Sequence, residues 1–197
     1  EIVKGNNRFA TDLYAQLKDK TSGNLFFSPY SISTALAMTY AGAAGETEKQ
    51  MAGVLHFTVP KSELHPAMAR LGKALLGDKA KGYDFRVANR LWGQKGHTFL
   101  PEFLETTQQF YGAELGAVDF AQAAEEARQA INAWVEKQTE QKIKDLLPPG
   151  TLDAMTRLVL TNAIYFKGNW QEKFDKEATQ DAPFHVSTDK DVTVPMM

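Results

Sequence analysis

The four histidines, His56, His65, His97 and His185, are the residues best suited to proton transfer or metal binding, and they are scattered. None sits in a His-Glu-x-x-His or His-x-His pattern, so a metal centre would need ligands from distant segments. No metal or other cofactor is expected. A Ser-His-Asp triad assembles in space rather than in sequence, but no Gly-x-Ser-x-Gly elbow presents a nucleophile. Gly93-Gln94-Lys95-Gly96 reads as a turn, because it lacks the spacing and the following helix of a phosphate loop. The chain contains no cysteine, which removes disulfides, thiolate catalysis and cysteine-ligated zinc. No motif of an independent hydrolase stands behind this inventory. Lys73, Lys79, Lys81, Arg86, Arg90 and Lys95 form a mildly basic stretch diluted by Asp78 and Asp84. It reads as a solvated face, with a weak polyanion site as the sharper alternative.

More informative are polar groups set in apolar surroundings. Asn162 lies inside the apolar run Leu158–Phe166, where a buried amide must find partners for both donors and its acceptor. Trp170 follows Lys167-Gly168-Asn169, and its indole N–H needs a partner if it is buried. Between Asn24 and Ala43 the chain reads as a short buried strand, Leu25-Phe26-Phe27, and then a helix apolar nearly all round. Such a helix belongs in an interior, yet Ser28, Ser31, Ser33 and Thr34 stand at its entrance. Buried hydroxyls need partners, which must come from elsewhere in the fold.

The elements that would position these groups follow from periodicity. Helical spacing covers Ile2–Lys18, the segment from Pro29 to about Ala41 with Ser28 as its cap, Glu46–Val54, Ser62–Leu76, Pro101–Tyr111 and Gln122–Ile143. Leu147-Pro148-Pro149-Gly150 closes the last of these. Alternation marks Tyr83–Gly93 as a strand, with Phe85, Val87, Asn89 and Leu91 on one side and Arg86, Ala88, Arg90 and Trp92 on the other. Glu114–Phe120 is a short strand and Leu158–Phe166 a central one. Ala182–Val186 and Val192–Met197 pair around Ser187–Asp191. The pattern predicts an α+β fold without internal repeats or linkers.

The 197 residues are 43% hydrophobic and 23% charged, with a net charge of −2, so neither nucleic acid nor an anionic membrane is expected as a partner. No apolar run approaches a membrane span. The first residues lack the basic and apolar regions of a signal peptide, and no asparagine heads a glycosylation sequon, so localisation is left open. The last run, Val192-Thr193-Val194-Pro195-Met196-Met197, carries no capping or turn signal, and the chain is expected to be incomplete.

Four ordered segments carry a resemblance. Asn24–Met51, Ala130–Leu147, Leu158–Phe174 and the pair Pro183–Ser187 with Val192–Met197 resemble, in order, parts of the serpins. They look like the buried central helix with its flanks, the helix across the main sheet, the third strand of that sheet with its exit, and the strands that follow. The resemblance implies the serpin fold, helices packed on a large mixed sheet with further smaller sheets. Residues 1–197 would supply the N-terminal part of one domain, completed by a C-terminal half. It implies a suicide inhibitor whose exposed reactive loop is cleaved by a serine protease, or by a cysteine protease as the second class. The cleaved loop then inserts into the main sheet. A non-inhibitory serpin with a carrier, chaperone or storage role is the alternative.

Position by position, Ser28, Pro29, Ser31 and Asn162 match the shutter, where the main sheet parts. Trp170 matches the breach, where the loop first enters. The reactive centre would lie outside this chain, and the family leans towards extracellular proteins. Phe26, Phe27, Ile32, Leu36 and Met38 are expected to lack much of their cover, which would leave residues 1–197 unstable alone.

Overall fold

The computed structural model describes residues 1–20, 22–76 and 82–197. Lys79, Lys81 and Asp78 of the basic stretch lie outside the described residues. Four helices come first: α1 (Ile2–Leu17), α2 (Pro29–Ala41), α3 (Gly45–Leu55) and α4 (Lys61–Leu76). Then follow β1 (Tyr83–Gln94), α5 (Pro101–Tyr111), β2 (Glu114–Val118), α6 (Phe120–Gln138), β3 (Leu158–Gly168), β4 (Gln180–Ser187) and β5 (Lys190–Met196).

β1 is the centre of a three-stranded sheet, order β2-β1-β3, parallel to β2 and antiparallel to β3 from Tyr83 to Gly93. Period-two alternation gives this sheet two different faces. Leu91 and Leu160 face α2 and α5, where they pack with Met38, Ala113, Phe103 and Leu104. Trp92 and Val159 face α6, where they meet Phe120, Ala127, Ile131 and Trp134. The sheet is therefore sandwiched at this end, α2 beneath and α6 above. β4 and β5 form a separate hairpin with a register shift between His185 and Ser187.

On the outer side of α2, Ala37, Tyr40, Leu64 and Met68 join it to α4. Gly5 lets α1 lie against this layer, because a Cβ there would stand 2.5 Å from the His56 carbonyl oxygen.

The structure departs from the expected elements in four places. Leu25-Phe26-Phe27 is extended but unpaired, and Phe26 is 99% exposed. A strand exists only through a ladder, and no described segment supplies one. α2 is buried on one side rather than all round: Ser31, Ser33, Thr34, Ala37, Met38 and Tyr40 are covered, whereas Thr39 is exposed. Met38, expected to be short of cover, is fully buried because Leu91, Ala113 and their neighbours close over it. α6 begins at Phe120 and ends at Gln138, five residues before Ile143. Thr139 ends it: its hydroxyl bonds Val135 O at 2.9 Å and accepts from Ile143 N at 3.2 Å. Glu140 and Gln141 then adopt φ of 50° and 59°.

Candidate functional site

The site is a line of hydrogen bonds running from the entrance of α2 into the sheet. Ser28 takes an extended conformation and caps α2, its Oγ accepting from Ser31 N at 3.3 Å, with Pro29 in the first turn. Capping turns the Ser31 side chain towards the sheet, where its hydroxyl donates to Oδ1 of Asn162 on β3. Asn162 lies directly opposite Asn89 of β1 in the β1–β3 register. Its Nδ2 donates to Asn89 Oδ1 at 2.7 Å, and Asn89 Nδ2 donates to Tyr111 O at 3.1 Å.

The polarity of this line has one solution. A backbone carbonyl only accepts. Tyr111 O therefore holds the Asn89 amide with its nitrogen outward, which presents Asn89 Oδ1 to Asn162 Nδ2. Asn162 Oδ1 is then left to accept the Ser31 proton. Tyr111 is the last residue of α5, so its carbonyl has no partner within the helix. Gly112, at φ 64°, turns the chain away and keeps that carbonyl accessible to the sheet.

Residues of the opposite face are tied separately. Trp92 Nε1 donates to Thr161 Oγ1 at 3.0 Å, and that hydroxyl donates to Arg90 O at 3.2 Å. Trp92 meets Trp134 edge to face at 5.8 Å, and the Arg90 guanidinium lies 4.4 Å from the Trp92 ring centre. α6 is clamped to its connector by Asn132. Its amide accepts from Leu147 N and donates to Leu147 O, both at 2.9 Å, and Arg128 donates to the same carbonyl at 2.7 Å. Arg128 also forks onto Glu125, which, with help from Gln129, holds the Glu125 carboxyl down to about 2.

Of the five residues singled out in the sequence, the structure brings Ser28, Pro29, Ser31 and Asn162 together. Trp170 stands apart beyond the end of β3, 71% exposed and packed edge to face on Phe174 at 5.7 Å. Asn89 joins the line although sequence reasoning placed it only on an apolar strand face. An amide among Phe85, Val87 and Leu91 was the available signal. The basic stretch does not form one face among the described residues: Arg86 pairs with Asp84 and Glu140, whereas Arg90 is stacked beneath α6. Among the described residues no group of three metal-ligating side chains occurs, and none of their helices is long and apolar enough to cross a membrane.

A polar seam thus joins the central helix α2 to the sheet of an α+β layer. The chain belongs to the serpin family: the model described as "Serpin (serine protease inhibitor)" matches residues 4–197. It is 51% identical to a leukocyte elastase inhibitor of Sus scrofa over all of this chain and 52% of that protein, and 48% identical to the one of Homo sapiens over the same shares. Its structure is similar to emu ovalbumin, with a TM-score of 0.91 at 32% identity over 99% of this chain and 54% of that one. A loop-inserted, cleaved ovalbumin mutant is similar at a TM-score of 0.92 and 32% identity, over the same shares. The chain spans about half the length of the curated relatives it matches.

Proposed function

We propose that the full-length protein carrying this chain is a protease inhibitor of the suicide type, directed at an elastase-like serine protease. The observation that carries this reading is the 51% identity, over the whole chain, to a protein named as a leukocyte elastase inhibitor. A reactive loop is cleaved, the protease is held as an acyl-enzyme, and the loop enters the main sheet as a new strand. The inhibitor is consumed in the process, so it is not an enzyme. β3 forms one outer strand of the three-stranded sheet, and an inserted strand would pair along such an edge.

Within this reading Ser28, Pro29, Ser31 and Asn162 are the shutter and Trp170 belongs to the breach. Hydrogen bonds suit a seam that must part, because their partners can be exchanged between two arrangements, which close apolar packing does not permit. Residues 1–197 are the N-terminal part of a single domain completed by a C-terminal half. That half would cover Phe26 (99% exposed), Phe166 (65%) and Phe184 (53%).

Incubating the full-length protein with leukocyte elastase tests the function. A covalent complex surviving a denaturing gel is expected. Clean cleavage without complex, across several serine and cysteine proteases, would overturn it in favour of a carrier, chaperone or storage role.

A further inference from the structure

The seam does not end at Tyr111. The Tyr111 hydroxyl lies 2.7 Å from Nδ1 of His65 on α4. His65 is only 5% exposed, enclosed by the rings of Tyr40, Phe110 and Tyr111 at 6.4, 6.4 and 5.7 Å. Tyr111 thus carries two tethers. Its side chain is held by α4, and its carbonyl holds Asn89, which orients Asn162, which receives Ser31. This line joins α4, α5, β1, β3 and α2.

The geometry points to His65 as a positioning residue for the Ser31–Asn162 seam, acting through Tyr111 and Asn89, whose protonation releases that seam. The inference rests on the reading of the seam as a shutter.

The charges around His65 favour its neutral form. Lys61 lies one turn earlier on α4, its ammonium 3.1 Å from Glu48 of α3 and 4.8 Å from the Tyr40 ring of α2. From α5 comes the Tyr111 phenol, its ionisation pushed up chiefly by burial and then by Tyr30 of α2. At the start of α1, Glu1 and Lys4 pair with each other in solvent. Among the described residues no carboxylate bonds the imidazole, and a proton there is opposed first by burial and second by Lys61. Together these lower its pKa from 6.5 to about 4. The neutral ring can accept the Tyr111 proton at Nδ1, and the imidazolium would donate there to the phenol oxygen, so what opposes closure on protonation is the buried charge beside Lys61 rather than loss of this contact.

The sign follows from this lowered value. A state in which α4 and α5 part, solvating His65, recovers a value near 6.5, so it gains a proton that the closed state does not bind. Closure is fully favoured above about 6.5 and loses ground as pH falls towards 4. Between pH 7.5 and 5.0 the opened population should rise roughly 25-fold from this group alone.

The test uses the full-length protein with 15N-labelled asparagine side chains, and hydrogen exchange in the first turn of α2 corrected for intrinsic rates. In the parent, the Asn89 and Asn162 amide signals should shift with the His65 titration, and exchange at Ser31 should quicken roughly 25-fold between pH 7.5 and 5.0. His65→Gln should abolish both responses. Asn89→Ala should leave His65 titrating while the Asn162 signal ceases to follow it. An Asn162 response that persists in Asn89→Ala, or exchange equally steep in pH for parent and His65→Gln, overturns the coupling. If Ser31→Ala and Asn162→Ala leave exchange unchanged at every pH, the shutter reading itself fails. If those two accelerate it and His65→Gln does not flatten its pH dependence, only the present inference fails.

Discussion

Asn162 offers the sharpest test of the one-way polarity of the seam, because exchanging a single NH2 for oxygen reverses one donor. Truncation to alanine leaves two groups without partners, the Ser31 hydroxyl, which is 9% exposed, and Asn89 Oδ1. Each orphaned buried neutral group costs about 1–3 kcal/mol. Asn162 is half-buried, which reduces the Asn89 share, so Asn162→Ala should destabilise by roughly 2–4 kcal/mol. Asn162→Asp keeps an acceptor for Ser31 but sets a carboxylate against Asn89 Oδ1, with 2.7 Å between the present donor and acceptor. Asn89 cannot relieve this by turning over, since its oxygen would then face Tyr111 O.

The aspartate variant should therefore be less stable than the alanine one at neutral pH, by roughly 1 kcal/mol or more. Its carboxyl is favoured in the protonated form, which can donate to Asn89, so its folded value lies above the usual one near 3.9. A raised value means stability gained as pH falls through it, and the deficit of the aspartate variant should shrink between about pH 7 and 4. Urea unfolding of the full-length variants at both pH values measures this. An Asn162→Asp variant as stable as or more stable than Asn162→Ala at pH 7, or an Asn162→Ala variant within about 0.5 kcal/mol of the parent, would refute the one-way polarity of the seam.

Three further outcomes are expected. Trp92→Phe keeps most of the ring packing but removes the donor to Thr161, and should lower stability by about 1 kcal/mol in the same urea experiment. Asn132→Ala breaks both bonds to Leu147, and should cost roughly 2–3 kcal/mol. It should also open the connector after α6 to limited proteolysis before the rest of the chain. Arg128, with Gln129, holds Glu125 down to about 2. A depressed carboxylate contributes stability that is fully present above its unfolded value near 4.5 and lost as pH falls towards about 2. The stability of Glu125→Gln should accordingly vary less over that window than the parent's, as read by thermal unfolding.

The helices and strands were legible wherever one face is buried and the other is not, because periodicity records that asymmetry directly. β1 shows it: Asn89 and Leu91 alternate with Arg90 and Trp92, and the structure turns these pairs to α2 and α6 respectively. The same rule failed at Leu25-Phe26-Phe27, since apolar character identifies a segment that wants cover without naming the strand that supplies it. It also failed at the end of α6, where apolar spacing continues to Ile143 but the Thr139 hydroxyl and the left-handed Glu140 and Gln141 stop the helix.

Residue types alone removed thiolate chemistry, because the chain has no cysteine. They also showed that Ser28, Ser31 and Asn162 are polar groups in need of partners. Which partners they find was decided by the tertiary structure. The register setting Asn89 opposite Asn162, and the end of α5 setting Tyr111 O against Asn89, depend on strand pairing and helix placement across large sequence separations. Local sequence specifies which groups must be satisfied, and only packing brings the complementary donor or acceptor within hydrogen-bonding distance. Trp170 shows the converse. Its indole N–H would need a partner only in a buried setting, and the described chain leaves it exposed beyond β3 with Phe174 as its ring partner.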